Sequence, residues 1–442
     1  MSPFWTTVAI VASALTLITA TWFILDKVFA LRKWIRNRRL LTKKAPGEPS
    51  PYLNGLTKLL PREKNILLNE ALKARKKYKH ETAIMKFKLL LGQATDASER
   101  CAILNLIGLS QKTMGATRDA EKTFLEMIEI AKQAKLDEPL AAALGNIGLV
   151  YQTLGEPHKA LEYHQKALEI DERIGSLEGQ AQDLGNIGLV YRTLGEPKKA
   201  LEYYEQILKV HEKIGDLEGK AKDLGNIGIV YQTLGEPQKA LEYHERALKI
   251  DEKIGRLEGQ AQDLGNIGNV YDDLDEPHKA LGYHEKALKI AEQVDNLKTQ
   301  ASILGNIGLV YQTLGEPRKA LGYYQKSLEI AKRIGNPEVQ ANQLGNIGIV
   351  YRTLGEPRKA LEYHEKALEI DEKIGRLEGQ AADLGNIGNV YGDLGDHKQA
   401  LDYLQRAREI FVKIGAKLEI EKADQNIARA KRNLAEQRQE GQ

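Results

Sequence analysis

Apolar and small residues recur at helical spacing along most of the chain, in a pattern that restarts every forty residues. In one copy Leu144, Ile147, Gly148 and Tyr151 fall at i, i+3, i+4 and i+7, which is one stripe of a helix, helix A. Gly155 offers that helix a left-handed stop, and Pro157 takes the first-turn position of a second helix, where its missing N–H costs nothing. Helix B then carries Ala160, Leu161, His164, Ala167 and Leu168 on its inner face as far as Gly175. Gly148, Ala160 and Ala167 let the two helices approach, while Leu144 and Tyr151 fill the space between them.

The string LGNIG begins at Leu144, Leu184, Leu224, Leu264, Leu304, Leu344 and Leu384. A degenerate copy starts at Leu104 and a weaker one lies around Asn65 to Arg100, for roughly nine units in all. A lone hairpin cannot bury its stripe, so the pattern predicts stacked neighbours. The expected boundaries are a degenerate first repeat over 57–100, eight forty-residue units over 101–415, and a cap helix with tail over 416–442. Within the last, Lys417 to Arg438 keeps the helix A pattern but places Arg429, Lys431 and Arg432 at apolar positions, as a solvating end requires.

The leucine, glycine, tyrosine, alanine, alanine order along each unit resembles the tetratricopeptide repeat, strongly over 100–415, weakly over 65–100 and not at all before. The family's common length is about 34 residues, so forty implies longer helices, similar to those of kinesin light chains and the Leu-Gly-Asn-repeat spindle-orientation adaptors. The resemblance implies an all-α, right-handed superhelical solenoid whose A helices line a concave groove through a stripe such as Gln182, Asn186, Leu189 and Thr193. It further implies that Asn146, Asn186, Asn226, Asn266, Asn306, Asn346 and Asn386 grip the backbone of an extended peptide, a role that suits a carboxamide with both donor and acceptor. The residues themselves equally admit an inter-repeat hydrogen bond that fixes stacking. At the equivalent of Gln152 the units carry Arg192, Gln232, Asp272, Gln312, Arg352 and Gly392. Rungs this alike suit a ligand held through backbone or a repeated pattern, with Asp272 beside Asp273 preferring a basic residue and Arg192 or Arg352 an acidic one. Lysines that clamp a terminal carboxylate in some relatives are replaced here by Gly145 and Leu149.

Before the repeats, Phe4 to Leu25 is free of charge and, at 1.5 Å per residue, about 33 Å long, enough for a single transmembrane helix. Trp5 and Trp22 lie near its ends, where indoles favour the interface. A cleaved signal peptide would need a basic leader, and none precedes the run, although Val28-Phe29-Ala30 could pass for a weak processing site. The basic juxtamembrane segment and linker, 26–56, holds Arg32, Lys33, Arg36, Arg38 and Arg39, which places the N-terminus outside and the repeats on the cytoplasmic side of a single-pass protein. The same cations are expected on anionic lipids rather than on nucleic acid.

Residues 1–100 carry 19 bases against 7 acids in a chain of net charge +3, so the repeats are mildly acidic. One cysteine excludes an internal disulfide. No HExxH or phosphate-binding GxxxxGK[ST] occurs, and GNIG lacks the third glycine of a dinucleotide fingerprint. His164, His244, His284 and His364 are expected as packing residues, and carboxylates such as Asp171 and Glu172 as solvent-facing pairs. The sequence thus predicts a membrane-anchored scaffold that binds a protein or peptide, with no enzyme activity, cofactor or metal. The alternative is a self-associating structural scaffold that organises a membrane-bound complex.

Overall fold

The computed structural model describes residues 62–440. The expected membrane helix and basic segment therefore lie outside the described residues, and among the described residues no helix is long and apolar enough to cross a membrane. Those residues form nineteen α-helices and no strand. The chain divides into two compact units, one ending at Gly179 and the other beginning at Gln180.

The first unit holds α1 (Arg62–Lys76), α2 (His80–Leu91), α3 (Ala97–Thr113), α4 (Thr117–Gln133), α5 (Asp137–Thr153) and α6 (Pro157–Ile174). Leu68, Ala71, Phe87 and Leu90 of the first hairpin share a buried cluster with Ile103, Leu106 and Ile107 of α3. The weak copy in the sequence is thus a packed hairpin. α7 (Leu177–Thr193) crosses the division. The second unit continues with α8 (Pro197–Ile214), α9 (Leu217–Thr233), α10 (Pro237–Ile254), α11 (Leu257–Asp273) and α12 (Pro277–Gln293). It ends with α13 (Leu297–Thr313), α14 (Pro317–Arg333), α15 (Pro337–Thr353), α16 (Pro357–Ile374), α17 (Leu377–Asp393), α18 (His397–Ile414) and α19 (Lys417–Glu440). On α19, Ala423, Ile427 and Ala430 are buried against the preceding hairpin, and Lys431 and Arg432 remain exposed.

From α3 onward each hairpin closes on a glycine of helix A. A Cβ added to Gly148 would lie 2.7 Å from the His164 ring, and one on Gly308 would lie 2.6 Å from Tyr324. His164, His244, His284 and His364 are fully buried, as the packing reading expects. Beside them a tyrosine of helix A stacks on one of helix B, for example Tyr151 on Tyr163 at 5.3 Å between centroids. The same pair recurs in every hairpin through Tyr391 on Tyr403.

Proline opens each helix B from α6 to α16, and a left-handed glycine such as Gly175 (φ 69°) or Gly375 (φ 71°) closes several of them. Asp275 (φ 57°) and Asp295 (φ 51°) hold the same conformation where other hairpins use glycine. An L-residue is strained there, although Asp tolerates it better than most. Asp275→Gly should therefore raise stability by roughly 0.5–1 kcal/mol, read as a higher urea midpoint. An unchanged or lower midpoint would remove the strain argument.

Candidate functional site

The seven repeated asparagines are half-buried on the A helices. Two of them bond across to the preceding hairpin. Asn146 Nδ2 donates to Asn105 Oδ1 at 2.7 Å in the first unit, and Asn306 Nδ2 donates to Asn269 Oδ1 at 2.9 Å in the second. Both bonds depend on an asparagine that most repeats lack, because Asn105 stands where later units have Gly145, and Asn269, matched only by Asn389 in the last unit, stands where others have Leu189, Ile229, Leu309 or Ile349. An aliphatic side chain cannot accept a proton. Accordingly, among the described residues the side-chain amides of Asn226, Asn266, Asn346 and Asn386 make no hydrogen bond, and Asn186 Nδ2 also has no acceptor. One turn further along the same stripe Leu189 and Leu309 are 37% and 48% exposed, so unpaired amides alternate with apolar contact surface. The hydroxyls of Thr193, Thr233, Thr313 and Thr353 donate to their own helix carbonyls four residues back and are not free as donors.

The variable rung links successive hairpins. Arg352 forms a two-pronged pair with Asp393 of the next A helix, its Nη2 3.2 Å from Oδ1 and its Nε also bonded to Oδ2. Gln232 Nε2 donates to Asp273 Oδ2 at 2.9 Å in the same way. Arg192 makes no ion pair, so of the two arginines expected to meet an acidic group only this one is uncommitted. Asp272 is half-buried, and burial together with Asp273 and Asp275 raises its carboxyl above the ordinary range.

A second polar system runs through the joints between hairpins, and here the sequence reading needs correction. Asp171, Asp251 and Asp371 were expected in solvent, but they are 7%, 0% and 0% exposed, while Glu172, Glu252 and Glu372 beside them are exposed. Asp251 takes two bonds from Arg256, Nε–Oδ1 at 2.9 Å and Nη2–Oδ2 at 2.5 Å, and Asp371 takes two from Arg376, both at 2.8 Å. The reason for burial is local: the carboxylate sits in the space left by the glycine opening the next helix A, where a Cβ on Gly259 would lie 1.8 Å from Asp251 Oδ2. Across each joint stands another buried acid, Asp263 or Asp383. Burial and the neighbouring Asp251 push Asp263 up to about 8. Burial also raises Asp383, against the pull of His364, whose Nδ1 lies 3.2 Å from Asp383 Oδ1. Burial alone takes His244 and His284 down to about 4. At a third joint His211 Nδ1 is 2.6 Å from Asp223 Oδ2; burial lowers the histidine, but the Asp223 bond and charge outweigh it and its pKa is raised. Among the described residues no group of three or more His, Cys, Asp and Glu side chains is placed to hold a metal ion.

No curated protein matches this sequence. Among solved structures, the apo quorum sensor NprR from B. thuringiensis is similar at 16% identity, covering 78% of this chain and 97% of its own with a TM-score of 0.56. Aspartyl phosphate phosphatase F from Bacillus subtilis is similar at 14% identity, with 83% and 96% covered and a TM-score of 0.54. Apo RapI follows at 17% identity, with 84% and 98% covered and a TM-score of 0.53. At these identities the likeness is one of fold. The tetratricopeptide-repeat family model matches residues 139–213, 221–293, 299–373 and 340–413, more than half of the chain, in register with the hairpins above. The forty-residue period, the recurring glycine-and-ring lock and this match make the chain a member of the tetratricopeptide-repeat family.

Proposed function

We propose that the protein is an interaction scaffold whose A-helix row in the second unit binds an extended peptide segment of a partner. The observation that carries this reading is the set of amides on Asn226, Asn266, Asn346 and Asn386 that no group among the described residues satisfies, with the aliphatic Ile229 and Ile349 one turn beyond two of them. A peptide unit would satisfy donor and acceptor of each amide while its side chains cover the aliphatic residues. Arg192 adds one free cation to the row, whereas Arg352 would first have to leave Asp393. The tether is part of the same proposal: Phe4 to Leu25 crosses a membrane, Arg32 to Arg39 rest on anionic headgroups, and the repeats face the cytoplasm, where anchoring raises the effective concentration of a membrane-associated partner.

The test is replacement of Asn226, Asn266, Asn346 and Asn386 by alanine in the full chain, followed by proximity labelling in the native host and direct binding to the partner so found. Each lost hydrogen bond is expected to weaken binding by about 1 kcal/mol, roughly fivefold, with the melting temperature unchanged. Charge reversal at Arg192 should weaken an acidic ligand further. Partner binding that survives all four substitutions would refute the groove reading, and a chain whose apparent size grows with concentration would favour the self-associating scaffold instead.

A further inference from the structure

Helices α12 and α14 depart from the other B helices in one respect that packing does not explain. Position 162 of the first unit is glutamate and recurs as Glu202, Glu242 and Glu362, but the two adjacent helices carry Gly282 and Gly322 there. Glycine inside a helix is about 1 kcal/mol less favourable than a good helix former. Other helical glycines here make room for a ring, as Gly268 does for His284, or for a carboxylate, as Gly259 does for Asp251, while Gly392 near the end of α17 also faces open space. Among the described residues Gly282 and Gly322 make room for nothing, since a Cβ at either would meet no atom of theirs within 4 Å.

The change also alters charge. Three of the four glutamates pair with a cation four residues on, as in Lys166 to Glu162 at 2.5 Å and Lys366 to Glu362 at 2.6 Å, whereas Glu202 is followed there by Gln206. Lys286 and Lys326 have lost that partner, are exposed, and lie 5.0 and 5.2 Å above the rings of Tyr283 and Tyr323. Those two tyrosines pack against one core cluster, to which α13 between the two helices contributes Ile303 and Ile307. Helix α14 carries five bases and one acid, whereas α16 carries four bases and five acids. Of the five, Lys319 pairs with Glu316, and Arg318, Lys326, Lys332 and Arg333 are exposed with no carboxylate in ion-pair range. Arg318, Gly322, Lys326 and Arg333 fall on one stripe of α14 that also holds the exposed Glu329, and the equivalent stripe of α12 holds His278, Gly282, Lys286 and Lys289.

We propose that this outer face of α12 and α14 is a second docking surface, separate from the A-helix row, for an acidic protein segment that crosses the helices at Gly282 and Gly322. The bare glycines let a partner's backbone come close, and its carboxylates replace the glutamates that the two helices lack. A lipid headgroup or nucleic-acid phosphate would meet the same charge but would gain nothing from the glycines, so a protein segment is the occupant favoured.

The experiment compares the full chain with Gly282→Glu/Gly322→Glu, Gly282→Ala/Gly322→Ala and Lys286→Gln/Lys326→Gln variants. The probes are a labelled glutamate-rich peptide, vesicles containing phosphatidylserine, and a single-stranded oligonucleotide. Both glycine variants add helix-forming residues without a clash, so they fold at least as well as the parent, which thermal melting checks. The Glu pair and the Gln pair are each expected to weaken peptide binding about tenfold. The Ala pair, which leaves every charge in place, is expected to weaken it about threefold by blocking close approach. Vesicle or oligonucleotide binding should be the same in parent and variants. Peptide binding unaffected by the Ala pair would overturn the glycine contact. Undiminished binding by the Glu pair, or variant-dependent loss for vesicles or oligonucleotide in place of the peptide, would overturn the acidic-segment proposal.

Discussion

Tyr324→Ala should lower the stability of the second unit by about 3–5 kcal/mol, because the deletion leaves a cavity that nothing nearby can fill. Tyr324 is fully buried on α14 and shares a cluster with Leu328, Leu344, Ile347 and Val350, so its ring serves two hairpins. Opposite the ring stands Gly308, which has no side chain to relax inward, and the hydroxyl donates to Gln312 Oε1 at 3.1 Å. Two companions make the expectation specific. Tyr324→His should cost under about 1.5 kcal/mol, since histidine occupies the same lock at positions 164, 244, 284 and 364 and the swap keeps a flat ring. Gly308→Ala should cost about 1–3 kcal/mol in the parent, where its Cβ would lie 2.6 Å from the ring, yet be neutral or stabilising in the Tyr324→Ala background. That coupling, measured by urea unfolding of the four-member cycle, is the signature of the lock. Additive effects would mean that glycine and ring do not share one space.

The lock was legible in the sequence because glycine and ring keep constant spacing in successive copies, until Leu404 replaces the ring opposite Gly388. Gly148 with His164, Gly188 with Tyr204 and Gly308 with Tyr324 all lie sixteen residues apart. Helix ends were legible for a related reason, since Gly155 and Pro157 constrain backbone angles locally and need no knowledge of neighbours. The joints were not. Asp251 reads as a surface acid on helix B, and its burial depends on Gly259 and Arg256, which belong to the next turn and helix. A signal was nevertheless present. Asp251 and Asp263, or Asp371 and Asp383, occur together, while Ala291 and Ile303, or Phe411 and Ala423, replace both at once. Joint replacement twelve residues apart is what two side chains sharing a buried site produce.

Candidate groove residues were legible as a row but not in their pairings. Asn306 is one of seven identical rungs, and only the exchange of an aliphatic residue for Asn269 in the preceding hairpin gives it a partner. Likewise Arg352 meets Asp393 because that unit exchanged threonine for aspartate. Single departures from the repeat therefore decide which rungs hold the stack together and which stay open, a distinction that the shared pattern hides.

Asp263→Asn should stabilise the second unit at pH 8 and remove a pH dependence that the parent shows between pH 6.5 and 8. Asp263 is buried at the joint of α10 and α11 close to Asp251, with Arg256 pairing Asp251 and His244 buried on the same helix as Asp251. One arginine faces two carboxylates, so the folded joint keeps a proton on Asp263 up to about pH 8, whereas the unfolded chain releases it near the ordinary value of 3.8. Unfolding therefore releases a proton between those limits, and stability falls as pH rises by up to about 1.4 kcal/mol per unit, then levels above pH 8. His244 works in the opposite sense: held neutral down to about 4 against an ordinary 6.5, it costs stability as pH falls below 6.5. The interval from 6.5 to 8 thus isolates Asp263 from His244. An asparagine retains a donor for Asp251 and carries no proton to lose, so the difference between variant and parent should grow steadily across that interval in urea unfolding. Parallel pH profiles for the two proteins would mean that Asp263 is ionised in the folded joint, and the shared proton would have to be abandoned.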